Sequence, residues 1–142
     1  MKKKIMYLSL LLCFMFLFTA CSLGGPSMVS MKEKFRDAGY TVKTFSENDI
    51  KNRAGCVDGF TFTLSVKDSN TMRSTTIYGW VCKFNKKDLA VEAKELIEPA
   101  DNRKVSLKND IYLCYVFESR YDDLPSLDEF LVVLDVFDSC FA

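Results

Sequence analysis

The sequence predicts an α+β fold, a two-layer sandwich in which helices cover one face of a single, mostly antiparallel sheet of about five strands. Two observations lead to this prediction. Four segments alternate between apolar and polar residues and are joined in pairs by polar turns, which predicts two β-hairpins. Three further segments have helical periodicity and begin with capping residues. The 142 residues allow one domain of this kind.

The predicted elements follow one another as helix, strand, hairpin, helix, hairpin, helix. Their expected bounds are helix 31–38, strand 40–45, strands 60–66 and 75–84, helix 86–97, strands 105–107 and 111–117, and helix 127–137. The start signals are the capping boxes Ser30 with Glu33 and Ser126 with Glu129, and the N-cap residues Ser46 and Asn85. Gly39 suits the left-handed position that ends the first helix.

Alternation in the first hairpin strand predicts which of its sides is buried. Phe60, Phe62 and Leu64 share one face, whereas Thr61 and Thr63 lie on the other. Leucines of the last two helices complete the expected interior. The predicted core is Phe60, Phe62, Leu64, Leu89, Leu96, Leu131 and Leu134.

Composition excludes several classes of function. Lys and Arg total 19, and so do Asp and Glu. Because Lys2, Lys3 and Lys4 lie at the amino terminus, the rest of the chain is mildly acidic, and no nucleic-acid partner is expected. The chain has no histidine, which excludes serine–histidine and cysteine–histidine catalysis and removes the commonest metal ligand. We therefore expect no catalytic residue, no metal site and no cofactor.

Residues 1–21 have the layout of an export signal. A basic start is followed by an apolar run over residues 5–18 and then by Thr19, Ala20 and Cys21. The run of about 14 residues is shorter than the roughly 20 that a membrane-spanning helix needs. The segment from Phe18 to Cys21 resembles the lipobox of bacterial lipoproteins, in which the cysteine thiol receives a diacylglyceryl group and the chain is cut just before it.

The lipobox resemblance implies a division of the chain into three parts. These are a signal peptide over residues 1–20, a lipidated amino terminus and short linker over residues 21–29, and an extracytoplasmic domain over residues 30–142. Cys21 would be the attachment site, and its acyl chains, such as palmitate, would hold the protein on the outer face of the cell membrane. The alternative is an ordinary signal peptide in which the cysteine has no role.

The chain resembles small membrane lipoproteins of unknown function in low-GC Gram-positive bacteria. The resemblance lies in the leader, in the order of the elements and in the junction between the first helix and the first strand. That junction consists of Ala38, Gly39, Tyr40, Thr41 and Val42. The resemblance covers most of the chain. It implies no activity.

Four cysteines remain in the predicted domain, namely Cys56, Cys82, Cys114 and Cys140. An even number in an exported domain favours disulfides, and the absence of a C-x-x-C pair gives no support to a thioredoxin-type motif or a zinc site. One allowed hairpin register places Trp80 and Cys82 on the side of Phe60 and sets Cys56 opposite Cys82. The last helix, running back along its preceding strand, carries Cys140 toward Cys114.

Other cysteine arrangements remain open. We rank the nested pairing, Cys82 with Cys114 and Cys56 with Cys140, below the pairing of sequence neighbours, because a helical crossover leaves the required strand adjacency unspecified. Four buried free thiols are the further alternative.

Acidic pairs and aromatic residues are the remaining candidates for chemistry or binding. The pairs Asp122-Asp123 and Asp128-Glu129 are expected to have structural roles, the second because acids suit the first turn of a helix. The aromatic set could form a recognition surface, although core packing is favoured. It consists of Tyr78, Trp80, Tyr112, Tyr115 and Tyr121.

These observations predict a membrane-anchored, non-enzymatic binding or interaction module of the cell envelope. Its partners would be the membrane, through the lipid, and an envelope protein or a small ligand. Two alternatives are an envelope enzyme that uses carboxylates or a thiol, and a protective or immunity lipoprotein that sequesters a toxin or inhibitor.

Overall fold

A five-stranded antiparallel sheet forms the centre of the domain, with its strands in the order β1, β2, β3, β5, β4. The structure, a computed structural model, describes residues 25–142. The predicted signal peptide and Cys21 lie outside these residues. The elements are α1 (Met28–Asp37), β1 (Thr41–Thr44), α2 (Glu47–Lys51), β2 (Cys56–Lys67), β3 (Ser74–Phe84), α3 (Lys87–Glu95), β4 (Arg103–Lys108), β5 (Tyr112–Ser119) and α4 (Asp128–Ser139). Within this part of the chain, no helix is both long and apolar enough to cross a membrane.

The two longest helices, α1 and α4, pack on one side of the sheet, here termed the helical face. This side holds the larger apolar core, in which each fully buried large side chain contributes roughly 1.5–3 kcal/mol. Among its members are Met31, Phe35, Phe60, Phe62, Ile77, Val81, Cys114, Val116, Val133 and Phe137. The α+β class and the two-layer sandwich are therefore as the sequence predicts.

The opposite side of the sheet, here termed the open face, is covered only at one end. There the short helices α2 and α3 lie over a second apolar cluster, which the prediction of helices on a single face did not include. Its buried members are Phe45, Cys56, Cys82, Phe84, Ala90 and Leu113. The rest of this face is free of helices among the described residues.

The register between β2 and β3 corrects the expected phase of the first hairpin. Phe60 pairs with Val81, so Val81 faces the helices with Phe60, whereas Trp80 and Cys82 point to the open face. Alternation within each strand was therefore predicted correctly, but the relative phase of the two strands was wrong. The relative phase of two hairpin strands depends on the length of the turn between them, and a turn one residue longer or shorter than expected shifts it by one position. In this turn Met72 has a positive φ of 62°.

Three helix starts differ from their predicted capping signals. Ser27, not Ser30, caps α1, and its hydroxyl accepts the amide of Ser30 at 3.1 Å. As a result the helix starts at Met28, whose side chain is buried in the core. Neither α3 nor α4 has a side-chain hydrogen bond at its N-cap. Only the predicted cap at Ser46 is confirmed, as a capping box with Asp49.

The last helix is instead held by a buried carboxylate. Glu118 is 1% exposed and accepts hydrogen bonds from the Ser126 hydroxyl at 2.8 Å and from the Leu127 amide at 2.8 Å. The Arg120 Nε lies 3.5 Å from the same carboxylate. Ser126 therefore binds Glu118 rather than forming the predicted box with Glu129.

The predicted core list is correct in its strands and partly wrong in its helices. Phe60 and Phe62 are fully buried, and Leu64, Leu89 and Leu134 are partly buried against the two clusters. Leu96 is 77% exposed because α3 ends at Glu95, so Leu96 no longer follows the helical stripe. Leu131 is 56% exposed because the buried stripe of α4 runs through Phe130, Val133 and Phe137.

Candidate binding site

Four aromatic side chains stand together on the open face, beginning at Trp80 beside the end that α2 and α3 cover. Cross-strand pairing places Trp80 opposite Tyr115 and Tyr78 opposite Phe117. The Trp80 and Tyr115 rings are stacked at 5.7 Å, and the Tyr78 and Phe117 rings lie 5.0 Å apart. These four residues, two each from β3 and β5, are termed the aromatic patch. Tyr78 is 40% exposed and the other three are partly buried.

Glycine allows the strand beneath the patch to pack closely on its other side. Gly79 lies between Tyr78 and Trp80 and points to the helical face, where a Cβ atom would meet the Phe62 ring at 2.7 Å and also the Tyr115 carbonyl. The Phe62 ring occupies that space and belongs to the main core. The same stretch of β3 therefore serves both sides of the sheet.

Two arginines flank the patch from opposite sides. The Arg53 guanidinium lies 4.5 Å from the Phe45 ring centre and 5.6 Å from that of Trp80, which are cation–π distances. Its Nη1 donates to the Asp49 carbonyl at 2.9 Å. Hydrogen bonds from the backbone and side chain of Ser46 lower the pKa of Asp49, so the capping box of α2 also fixes the residue that holds Arg53.

Arg103, on β4, borders the other side of the patch. It lies opposite Phe117 in the register, with its guanidinium 5.7 Å from the Phe117 ring centre. Its Nε is buried and has no hydrogen-bond partner among the described residues. Burial raises the pKa of Tyr115, an effect that the nearby charge of Arg103 partly offsets. Arg103 also lines the larger cavity beside the patch, together with Trp80 and Tyr115.

A groove runs between the patch and the carboxyl-terminal end of α3. It consists of a cavity of about 240 Å³ that reaches from Arg53 to Leu96 and a cavity of about 480 Å³ that reaches from Leu96 to Arg103. Trp80 and Leu96 line both cavities, so the two adjoin each other. Glu92 lies on the helix side of the first cavity and Glu98 on that of the second. The groove thus has an apolar floor with cationic and anionic rims.

The predicted aromatic set divides between this site and other places. Tyr78, Trp80 and Tyr115 belong to the patch, whereas Tyr112 is buried on the helical face. Tyr121 lies in a loop, with the Arg73 guanidinium 4.7 Å from its ring centre.

The sequence did not lead us to expect Phe117, Arg53 or Arg103 at a binding site. A signal for Phe117 was present, because β5 is apolar at successive positions and so offers an apolar surface to both sides of the sheet. The arginines had no signal, since only the fold brings them to the aromatic residues.

The acidic pairs do not form a cleft with each other. Asp123 is paired with Arg73, both of its oxygens lying 3.0 Å from the Arg73 Nη1. Asp128 and Glu129 occupy the first turn of α4, as predicted. Among residues 25–142, no cluster of three or more His, Cys, Asp or Glu side chains could hold a metal ion.

The four cysteines of the domain are free thiols and occupy two separate places. Cys56 and Cys82 lie together in the cluster on the open face, where the Cys56 thiol donates to the Asp58 carbonyl at 3.5 Å and the Cys82 thiol to the Lys83 carbonyl at 3.9 Å. Cys114 and Cys140 lie on the helical face, close enough for the charge of one to act on the other. The nested pairing and the remaining cross pairing would each need bonds through the sheet, so this geometry excludes both. The pairing of sequence neighbours stays a prediction.

Comparison with known proteins yields no relative: no protein-family model, no curated protein and no solved structure matches the chain. Function must therefore be argued from the site itself.

Proposed function

We propose that this protein is a membrane-anchored lipoprotein whose domain binds a polypeptide partner through the aromatic patch and its groove. The anchor is supported by the lipobox-like segment that ends at Cys21. The binding role is supported by one observation above all, the four adjacent aromatic residues of the open face, of which Trp80 packs against the cluster beneath α3 whereas Tyr78 and Phe117 lie beyond it. Contiguous exposed apolar surface of this kind on a small domain is typical of interaction sites.

Helices cover only one end of the open face, and this partial cover argues against a purely structural role for the patch. Helices α2 and α3 bury one end of this face completely, including Cys82, Phe84 and Leu113. Tyr78 and Phe117 lie further along the same strands and are not covered. Residues that served only the domain's own core would be expected under α3 as well.

The orientation of the rings favours a polypeptide over a flat ligand. Trp80 has Tyr115 against one face of its ring and Arg53 close to its ring system, so little of the flat surface is left for stacking. Tyr, Trp and Arg in this arrangement dominate protein interfaces, because they offer large contact area and hydrogen bonds at low entropic cost.

Charge indicates the chemistry of the partner. Arg53 lines the first cavity and Arg103 the second, and guanidinium groups suit carbonyl or carboxylate oxygens. The cavity beside Leu96 suits an apolar side chain. The expected ligand is therefore an extended segment that combines acidic and apolar residues.

Trp80 provides a direct test, because it is the only tryptophan in the chain. We expect acidic-apolar synthetic peptides to change its fluorescence when they are titrated into the full chain in detergent micelles. The same peptides with Gln and Asn in place of Glu and Asp should bind more weakly, and oligosaccharides should give no change.

Variants separate the patch from the rest of the surface. Tyr78→Ala and Arg103→Gln should each weaken peptide binding about tenfold or more, as removal of a hot-spot side chain does. Tyr121→Ala is the matched control, since it removes an exposed tyrosine outside the patch. Equal affinities of the wild type and all three variants for the peptides would contradict the proposal. A change of Trp80 fluorescence on addition of oligosaccharides would indicate that the ligand is a glycan rather than a peptide.

A further inference from the structure

The structure points to a second reactive site, independent of the proposed binding function. We propose that Cys56 and Cys82 form a dithiol couple that reacts with disulfide compounds, with Cys56 as the attacking thiol and Cys82 as the resolving thiol. The argument rests on the placement of the two thiols, their unequal exposure and the charge beside them.

A β-bulge brings the two thiols together. Gly59 pairs with Cys82, so simple alternation would place Val57 on the open face and Cys56 on the helical face. The register shifts between Cys56 and Asp58, and Cys56 pairs with Phe84 instead. The extra residue turns Cys56 to the open face, where it is the diagonal neighbour of Cys82 across the β2–β3 ladder.

Exposure decides which thiol meets a reagent first. Cys56 is 7% exposed, whereas Cys82 is 0% exposed beneath the cluster formed with Phe84 and Leu113. Only Cys56 therefore has any surface that a disulfide could approach. Val57, next to it, is exposed.

Local electrostatics favours the same assignment. The neighbouring Cys82 thiol lowers the pKa of Cys56, and the Arg53 cation adds to this effect, while burial and the Asp58 carboxylate oppose it. The Cys56 thiol and burial raise the pKa of Cys82. A thiolate is the nucleophile in disulfide exchange, so the lower pKa belongs to the more accessible sulfur.

The exchange needs a disulfide, written RSSR, as the oxidant. The Cys56 thiolate attacks one sulfur of RSSR, which forms a mixed disulfide at Cys56 and releases RS⁻. Cys82 then loses its proton and attacks Cys56 Sγ, which forms the Cys56–Cys82 bond and expels the second RS⁻. Overall two protein thiols are oxidised, and RSSR is reduced to two RSH molecules.

The other two thiols provide an internal comparison. Cys114 is 0% exposed, and burial raises its pKa. Cys140 is only partly buried and is thus more exposed than Cys56, but burial raises its pKa and its thiol donates to the Val136 carbonyl at 3.5 Å. Neither thiol of this pair is activated, so it should react more slowly.

Oxidised glutathione is a suitable probe for the reduced, full-length protein. After timed exposure, free thiols are alkylated and the four positions are read by peptide mass spectrometry. We expect an intramolecular Cys56–Cys82 disulfide to form at least about ten times faster than any modification of Cys114 or Cys140. Equal rates, or prior modification of Cys114 or Cys140, would overturn the proposal.

Single variants assign the order of attack. Cys82→Ser should trap glutathione on Cys56, whereas Cys56→Ser should leave Cys82 unmodified over the same period. Cys140→Ser is the matched control and should not alter the rate of the Cys56–Cys82 reaction. Glutathione on Cys82 in the Cys56→Ser variant, at the wild-type rate, would reverse the roles. If a variant fails to fold, the order of iodoacetamide labelling in the wild type decides, with Cys56 expected before Cys82.

Discussion

Tyr40 joins the first helix, the sheet and the last helix at a single residue. Its ring lies 5.8 Å from that of Phe35 and makes an edge-to-face contact with Phe62 at 5.5 Å. Its hydroxyl donates to the Glu129 carbonyl at 3.1 Å, in the first turn of α4. Burial, with a smaller effect of the Glu129 carboxylate, raises the pKa of Tyr40 to about 12. An ionised Tyr40 is therefore unfavourable in the folded protein.

Because of this raised pKa, the free energy of unfolding depends on pH in the alkaline range. Below pH 10 Tyr40 is protonated in both the folded and the unfolded state, and its contribution is constant. Between pH 10 and about 12 the unfolded state loses the proton first, so the free energy of unfolding falls as pH rises, by up to about 2–3 kcal/mol in total.

The variant Tyr40→Phe should remove this component. Urea denaturation at pH 9 should show the variant less stable by about 1 kcal/mol, through loss of one hydrogen bond. At pH 11 the difference should shrink or change sign. The same difference at both values of pH would contradict the assignment to Tyr40.

At the scale of elements, β3 is the strand on which both faces depend. It pairs with β2 and β5, contributes Ile77 and Val81 to the main core, and carries Tyr78 and Trp80 of the aromatic patch. Its central residue, Gly79, has no room for a side chain. We expect Gly79→Ala to lower the free energy of unfolding by about 1–3 kcal/mol, because Phe62 must move.

Chemical denaturation measures this effect, and Trp80 fluorescence reports it at the patch itself. Ser65→Ala, an exposed position on neighbouring β2, is the control and should stay within about 0.5 kcal/mol of the wild type. Unchanged stability of Gly79→Ala would show that Phe62 yields without loss of packing.

The sequence predicted the individual helices and strands better than it predicted how they pair and pack. Alternation identified β2 and β3, because a half-buried strand has a period of two whatever its partner is. The phase between them was missed, because it depends on the geometry of the turn, and Trp80 was therefore placed on the wrong face. Capping interactions were wrongly predicted where a distant residue replaces the local cap, as Glu118 does at α4, although the predicted start at residue 127 lies within one residue of the observed start. The aromatic patch arises from β3–β5 pairing across a helical crossover, and no local pattern encodes that pairing.

At the scale of the whole molecule, anchoring is the property that the lipobox-like segment predicts. We expect Cys21→Ser to abolish incorporation of labelled fatty acid and either to retain the uncut precursor or to release the protein. Cys13→Ser is the matched control, since it removes a cysteine of the apolar run outside the segment. A Cys21→Ser protein that is still labelled and membrane-bound would refute lipid attachment at this residue.

The path of the chain into α1 has a consequence for how the domain would stand on a bilayer. Gly25 has a φ of +80° and packs so closely on Tyr112 that a Cβ atom would lie 3.1 Å from its ring, and the Tyr112 hydroxyl donates to the Pro26 carbonyl at 3.3 Å. The chain therefore enters beside the β4–β5 turn. With Cys21 held in the membrane, the turn end of the domain can rise no more than about 14 Å above it.

From that end the strands run outward, and Phe117 lies five positions beyond Tyr112, a distance of about 17 Å along β5. The patch would thus lie on a flank of the sheet, away from the tethered end and within reach of the membrane surface. A polypeptide anchored in the same bilayer would find that flank by diffusion in two dimensions.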